Sequence, residues 1–219
     1  MPRPASSPKP PRTVAPDIPA VLAEETGLRA RADVQAARLG SLAGDVDAAH
    51  ARLVEVRVET ASVDRFDLTG ATLVDAVVSG IRAVELVARD GAWRESVVAG
   101  GRIATLDAVR AEWDGVALRG LRVDYLSLAS ARLNDVTFTD CEIGTLDLPD
   151  ARLTRVRFES TRVDEVDTRE LRCSDVDLRG LEAVSFTDPR GLRGATLDLR
   201  QAEQHAAAFA VAFGVDVRG

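Results

Sequence analysis

Aromatic residues are scarce in this chain. Tryptophan, tyrosine and phenylalanine make up only 4% of its 219 residues. This aromatic content is low for the bulky core of a conventional globular domain and is more typical of a narrow, repetitive core. Lysine is almost missing as well, because Lys9 is the only one and the other basic residues are arginines.

Cysteine and histidine are also rare, with two of each. Two cysteines cannot form a disulfide framework, so a reducing cytoplasm is the expected location. His50 and His205 lie far apart, and no Ser-His-Asp or Cys-His order occurs near a glycine elbow. Cys141 and Cys173 fall in positions predicted to be buried. We therefore predict no enzyme activity, no catalytic residue, no metal site and no cofactor.

Long apolar runs are absent. None approaches the roughly 18 residues of a membrane-spanning helix, and the basic N-terminus has no apolar stretch behind it, so no secretory signal is predicted. The formal net charge is -7, with 29% of residues charged. These values indicate a soluble protein and argue against direct nucleic-acid or membrane binding.

A five-residue repeat dominates the rest of the chain. In 151–178 an apolar or small residue occupies every fifth position, as at Leu153, Phe158 and Val163, and another lies two places before each. From Leu53 to Ala183 about 49 of about 54 such slots are hydrophobic, against about 25 expected by chance, which marks an internal repeat. A helix would repeat at about 3.6 residues and a strand at 2.

A period of twenty residues lies on top of the period of five. Four five-residue sides that close a square would produce it, with coils stacked at about 4.8 Å. We therefore expect Trp93 to stack on Trp113, and a four-sided interior lined by Leu133, Phe138, Ile143 and Leu148. The twenty-residue column that includes both tryptophans is Leu53, Leu73, Trp93, Trp113, Leu133, Leu153 and Cys173.

Segments such as ATLVD (71–75), ARLND (131–135) and VTFTD (136–140) resemble the pentapeptide repeat family, whose unit has a small residue two places before Leu or Phe. The resemblance implies an all-β chain that forms a right-handed quadrilateral β-helix of about seven coils over 46–186. On one side the large and small residues are exchanged, with Leu86 and Leu106 in the small slot and Ala88 and Ala108 in the large one. That side is expected to be bowed or differently turned.

The flanks lack the repeat. Residues 1–17 contain six of the nine prolines and are predicted to be a disordered tail. Residues 18–45 are predicted to be an N-terminal cap or an irregular first coil, beginning with a short helix capped by Asp17. Residues 187–219 are predicted to form a C-terminal cap with an α-helix that starts after Asp198. Its apolar stripe is expected to cover the last coil and to support a homodimer; it comprises Leu199, Ala202, Ala206, Phe209 and Phe213.

Outward columns supply the candidate interaction surface. Two alternatives fit the arginine column, a salt-bridged solvated wall or a site for an anion or an acidic partner. Tyr125 projects beside a neighbouring acidic column and is typical of an interface. The arginine column comprises Arg82, Arg102, Arg122 and Arg162, and the acidic column comprises Asp67, Asp107, Asp147 and Asp167.

The function predicted from these features is a non-catalytic protein-interaction scaffold of the pentapeptide repeat type, with an unidentified protein partner. The resemblance implies an alternative, a DNA-mimicking modulator of DNA gyrase of the quinolone-protection type. Region 46–186 has 26 acidic residues and 18 arginines, a net charge of -8. Over about 33 Å this is one charge per about 4 Å, whereas duplex DNA has one per about 1.7 Å. The charge density therefore favours the scaffold.

Overall fold

Strand pairing is parallel and joins residues about twenty apart in sequence. The computed structural model describes residues 7–218. One ladder runs through eight stacked positions, which means eight coils where the repeat predicted about seven. The extra coil lies at the N-terminus, where the first step spans 19 residues. The ladder comprises Val34, Leu53, Leu73, Trp93, Trp113, Leu133, Leu153 and Cys173.

The described residues form 21 strands in one continuous sheet, followed by a 3₁₀ turn and two short helices. Within 7–218 no helix is long and apolar enough to cross a membrane. The strands are Ala23–Glu25 (β1), Asp33–Gln35 (β2), Ala37–Leu39 (β3), Leu42–Asp47 (β4), Arg52–Val54 (β5), Arg57–Val58 (β6), Ala61–Asp67 (β7), Thr72–Val74 (β8), Val77–Val87 (β9), Ala92–Arg94 (β10), Val97–Asp107 (β11), Glu112–Asp114 (β12), Ala117–Ser127 (β13), Arg132–Thr139 (β14), Glu142–Asp147 (β15), Arg152–Glu159 (β16), Thr161–Asp167 (β17), Arg172–Ser174 (β18), Val176–Asp177 (β19), Leu181–Phe186 (β20) and Ala195–Thr196 (β21). The 3₁₀ turn is Pro189–Leu192, and the helices are Leu199–Gln204 (α1) and Ala206–Ala212 (α2).

The repeat slots fill a single narrow core. Trp93 and Trp113 are paired in register, with ring centroids 5.2 Å apart and an interplanar angle of 16°. One coil buries a residue from each of its four sides, which confirms the predicted interior; these are Leu133, Phe138, Ile143 and Leu148. Burial of about 25 cal/mol per Å² of apolar surface along every ladder is the main stabilising contribution.

The corners explain why one side of the square differs from the others. Three corners place a residue at positive φ in successive coils, for example Asp75, Gly80 and Asp90. In the described coils the fourth corner, at positions 85, 105 and 125, has no such residue. Strands β9, β11 and β13 run for eleven residues each through this corner and through the preceding one at Gly80, Gly100 and Gly120. This is the side where leucine and alanine exchange slots, and the expectation of a different turn there agrees with the structure.

The structure of the N-terminal flank differs from the structure predicted from the sequence. Residues 18–25 contain no helix, and β1 instead pairs in parallel with β3. The segment 33–47 forms the first coil through β2, β3 and β4. Residues 7–17, predicted to be disordered, lie on the solenoid wall and hydrogen-bond to it. Residues 1–6 of the predicted tail lie outside the described residues.

The C-terminal helix covers the last coil as predicted, but with a different face. His205 ends α1, so the predicted single helix is two short ones. Leu199 and Phe213 are 76% and 85% exposed, and Ala206 is exposed while Ala202 and Phe209 are half-buried. Phe209 packs against the core, so the predicted stripe is only partly the contact surface.

The buried face of the cap is polar. Gln201 and His205 are 8% and 7% exposed. Gln201 Nε2 donates to the backbone oxygens of Leu178 at 2.7 Å and Leu181 at 2.6 Å, and the His205 ring meets Phe186 edge-on at 4.9 Å. The end of a solenoid presents backbone carbonyls with no next coil to pair with, so donors stabilise it better than methyl groups would.

Candidate interaction surfaces

The arginine column lies where the sequence placed it. Strand register puts Arg82, Arg102 and Arg122 side by side, followed by Glu142 and then Arg162. Their side chains project into solvent, and three of them are held by carboxylates. Arg102 pairs with Asp124 at 3.1 Å, Arg122 with Glu142 at 3.0 Å and Arg162 with Glu182 at 3.3 Å. Most of this column is therefore a salt-bridged wall.

Arg82 differs from the other three arginines. Among residues 7–218 no carboxylate lies within 4.0 Å of its guanidinium. It borders an open hollow of about 660 Å³ that is lined by Ala83, Gly101 and Ala104, by Arg102 and Arg122, and by the acidic residue Asp64. Gly101 is in register with Ile81 and Leu121, which are both buried in the core. A shallow hollow lined by guanidinium groups can bind a partner that carries carboxylates.

A side chain at residue 101 is not tolerated by the backbone geometry. Gly101 has φ +124°, and a Cβ built on it would lie 1.9 Å from the backbone oxygen of Ile81. The left-handed conformation and the close approach both require glycine. Glycine is therefore required at this position of the coil.

The acidic column is aligned as predicted but is engaged within the wall. Asp67 Oδ1 accepts the Thr69 N–H at 2.9 Å, and the carboxylate also pairs with Arg65 at 3.0 Å. Asp107 pairs with Arg89 at 2.5 Å and is 13% exposed at its side chain. These carboxylates accept hydrogen bonds from backbone N–H groups of the corner that follows them in the chain, as in Asx turns.

The other two members of the acidic column behave in the same way. Asp167 Oδ1 accepts the Arg169 N–H at 3.0 Å, and its carboxylate is held by the Arg169 guanidinium. Asp147 accepts hydrogen bonds from Tyr125 Oη and Ser127 Oγ, both at 3.1 Å. The sequence suggested a free acidic face, whereas the structure ties each of these carboxylates to a local donor.

Tyr125 is 40% exposed. Burial of part of the ring raises the pKa of Tyr125, and the nearby Asp147 carboxylate raises it further. The phenol therefore stays protonated near neutral pH and donates to Asp147. Its ring edge remains available on the wall as an apolar contact.

The structure contains a recurring Asp-X-Arg unit that was not predicted from the sequence. In Asp177-Leu-Arg179 and Asp188-Pro-Arg190, the carboxylate accepts both the backbone N–H and the guanidinium of the arginine two residues later. The same unit includes Asp167 and Arg169. The signal was its repetition at intervals of 10 and 11 residues near the C-terminal end of the solenoid.

Ion pairing holds several of these carboxyl groups ionised. Hydrogen bonds from Arg155, Arg169 and Arg179 hold the pKa of Asp135, Asp167 and Asp177 respectively below its ordinary value, although partial burial opposes the shift. The ordinary pKa of an aspartate is about 3.9. Because the folded-state pKa is depressed, this stabilisation is present above that value and is lost as the pH falls through the folded-state pKa.

We therefore expect the melting temperature to change little between pH 7 and about pH 5 and to fall steeply below about pH 4. Thermal melts followed by circular dichroism from pH 7 to pH 2.5 measure it. The double variant Asp167→Asn with Asp177→Asn should melt lower at pH 7 and lose less on acidification. The exposed, unpaired Glu165→Gln is the control and should keep the parental profile. A parental melting temperature that stays constant to pH 2.5 would contradict the interpretation.

Cys141 is buried in the core as predicted, whereas Cys173 is half-buried and packs against the core. Cys141 is 2% exposed, and its Sγ donates to the backbone oxygen of Thr139 at 3.4 Å. Burial raises the pKa of both thiols, that of Cys173 to about 12. Within residues 7–218 no group of three His, Cys, Asp or Glu side chains is arranged to hold a metal ion.

Comparisons with known proteins bear on the fold alone. No protein-family model matches the chain, and no curated protein sequence does either. Among solved structures, the chain is similar to a trypsin-treated variant of QnrB1, described as a plasmid-mediated fluoroquinolone resistance protein. The similarity covers 83% of this chain and 99% of that one, at 15% identity and a TM-score of 0.41.

This chain is a β-solenoid built from pentapeptide repeats. The five-residue register, the four-sided coil and the parallel ladders establish that in the structure itself. A match of 15% identity does not extend to function. The function proposed below therefore depends on the surfaces of this solenoid.

Proposed function

We propose that the protein is a non-catalytic protein-interaction scaffold, which displays fixed columns of side chains on rigid walls. The observation that carries the proposal is the hollow beside Arg82, which is lined by Arg82, Arg102 and Arg122, by glycine and alanine, and by one acidic residue, Asp64. Exposed apolar groups flank this region, with Val84 61% and Tyr125 40% exposed. Arginine and tyrosine around a shallow hollow are the residue types that contribute most at protein interfaces.

The partner favoured by this surface is a protein with an acidic segment. Guanidinium groups bind carboxylates through two parallel hydrogen bonds, and Arg82 has all of its donors available within the described residues. Arg102 and Arg122 already share their charge with Asp124 and Glu142. They are thereby oriented along the rim, so that little side-chain entropy is lost when a partner binds.

Quantitative affinity capture with matched baits tests this proposal. The parental protein is compared with Arg82→Glu plus Arg102→Glu, and with Arg132→Glu plus Arg152→Glu as a control in another arginine column. We expect one or more acidic proteins to be retained by the parent and the control and to fall at least about tenfold on the first variant. Direct binding of the purified candidate should weaken with added salt. Identical capture by all three baits would refute the arginine surface.

The DNA-mimic alternative has less support. A DNA mimic needs free negative charge along its length, whereas Asp67, Asp107 and Asp167 are each paired with an arginine. A gyrase supercoiling assay separates the two functions, and we expect no inhibition at low micromolar concentration. Inhibition that is abolished by Asp107→Lys with Asp147→Lys would instead favour the mimic.

The C-terminal end supplies a further proposed contact, a homodimer. Leu199, Val211 and Phe213 are 76%, 63% and 85% exposed. Val211 also borders a hollow lined by Phe186 and Pro189, whereas Leu199 and Phe213 are the most exposed of the three. Exposed apolar groups of this size mark association surfaces, and a second copy of the chain would bury both faces symmetrically.

A further inference from the structure

The N-terminal segment 7–17 is seated on one wall of the solenoid without regular secondary structure. The backbone N–H of Lys9 donates to Asp175 at 3.1 Å, that of Arg12 to Asp135 at 2.8 Å and that of Asp17 to Asp75 at 2.9 Å. The three acceptors occupy the same corner in different coils, and each has a positive φ. The segment therefore runs along the solenoid axis across five coils, from the C-terminal end toward the N-terminal end.

The spacing of these bonds matches an extended, polyproline-type chain. Lys9 and Arg12 are three residues apart, which is about 9.3 Å in a polyproline II helix. Asp175 and Asp135 are two coils apart, which is about 9.6 Å at the spacing of paired strands. The second step is longer but also fits. Arg12 and Asp17 are five residues apart, about 15.5 Å in a polyproline II helix, and Asp135 and Asp75 are three coils apart, about 14.4 Å.

Each donor in the segment follows a proline. Pro8, Pro11 and Pro16 precede the three donating residues, and all three rings are half-buried. The side chains after them are Lys9, Arg12 and Asp17, which are all exposed, and Lys9 Nζ adds a salt bridge to Asp175 at 3.8 Å. What the three contacts share is a half-buried proline followed by a backbone N–H that donates to an aspartate of the wall.

The acceptors are arranged to receive a backbone N–H. Asp135 is held by two bonds of 2.6 Å from Arg155, in the next coil, which fix its carboxylate beneath the segment. Asp75 and Asp175 are half-exposed at their corners. A proline-rich chain has few N–H groups, and here the three that follow buried prolines all find an ionised acceptor, which is a stronger bond than one to a neutral group.

We propose that this wall is a binding surface for an extended proline-rich segment of a partner protein, and that residues 7–17 occupy it in cis as a competing ligand. A foreign segment with Pro-X units at the same spacing makes the same three hydrogen bonds, because each of them is donated by a backbone N–H. The inference extends the proposed scaffold function, since it adds a second surface and a defined class of partner. The wall that binds residues 7–17 and the arginine surface lie in different columns, so the two are tested separately.

The first measurement concerns docking in cis. In the full-length protein, Pro8, Pro11 and Pro16 are replaced by glycine, which removes the rings and raises the entropy of the undocked segment. Arg3 and Lys9 both precede proline, so the bond after Arg12 is the one in this segment that trypsin cleaves readily. We expect cleavage there to be about tenfold faster in the triple-glycine variant than in the parent. Equal rates would overturn docking of the segment.

The second measurement concerns binding in trans. A fluorescent peptide with the sequence of residues 7–17 should bind the triple-glycine protein saturably by anisotropy, and the parent about tenfold more weakly. Adding Asp75→Asn and Asp175→Asn to the triple-glycine protein should weaken binding at least about tenfold. These two acidic residues are chosen because Asp135 also pairs with Arg155 within the wall. Asp150→Asn in the same background is the matched control and should change nothing, because Asp150 is an exposed aspartate with positive φ at a different corner of the coil.

The peptide supplies its own specificity control, since a version with all three prolines replaced by glycine should not bind. The proposal is overturned if no saturable binding to the triple-glycine protein is found, or if the Asp75 and Asp175 variant binds as well as the control. Either failure leaves capture through Arg82 and Arg102 unaffected. A loss of that capture would in turn say nothing against binding of the proline-rich peptide.

Discussion

Leu133→Ala should lower the free energy of unfolding by about 2 to 5 kcal/mol, because it removes a fully buried side chain from the middle of the core. Leu133 is 1% exposed and is stacked between Trp113 and Leu153 in its ladder. Neighbouring coils hold their backbones at the inter-strand spacing, so the core cannot collapse around the cavity. The cost should therefore lie toward the upper part of the range.

Urea unfolding followed by circular dichroism measures this change. Asn134→Ala is the matched control, because residue 134 lies next to it on β14 and projects outward. We expect the control to stay within about 0.5 kcal/mol of the parent. A Leu133→Ala protein with the parental urea midpoint would contradict the stacked core.

Removal of residues 198–219 should lower the melting temperature and cause aggregation, because it exposes the end of the solenoid. Gln201 is then no longer available to donate to the Leu178 and Leu181 carbonyls. Unpaired strand ends recruit other chains. Thermal melting and light scattering of the truncated protein, compared with the parent, measure both effects.

Two substitutions in the full-length chain separate capping from dimerisation. Gln201→Leu keeps the size of the side chain but removes the amide, so we expect a lower melting temperature with no change in molar mass. Phe213→Ser changes only the exposed face, so we expect a lower molar mass at high concentration and an unchanged melting temperature. A truncated protein that equals the parent in both size and stability would refute both roles of the helix.

The repeating part of the fold could be predicted from the sequence because its contacts are local in the repeat. Trp93 meets Trp113 and Leu133 meets Leu153 at the same slot, one coil later. A period of five within a period of twenty then defines both the interior and the ladders. The exchange of leucine and alanine at Leu86 and Ala88 likewise indicated the differently turned side.

The flanks could not be predicted in this way, because they have no repeat and their partners are far away in sequence. The cap was expected to bury Leu199 and Phe213, which are exposed, whereas Gln201 and His205 are buried. Hydrophobic periodicity cannot show that the surface being covered consists of unpaired carbonyls. The need for an amide donor becomes visible only when the last coil is in place.

The sequence by itself determined the four-sided core, the strand register and the columns in which Arg82 and Asp107 stand. Only the tertiary structure determined which charged groups in those columns are available to bind a partner. Asp107 is paired with Arg89, whereas Arg82 has no carboxylate partner among residues 7–218. The physical reason is that a repeat fixes which residues are neighbours, whereas the free charge on a wall depends on side-chain geometry between coils. The same holds for the N-terminal segment, whose prolines indicated disorder until carboxylates a hundred or more residues away supplied acceptors for its few N–H groups.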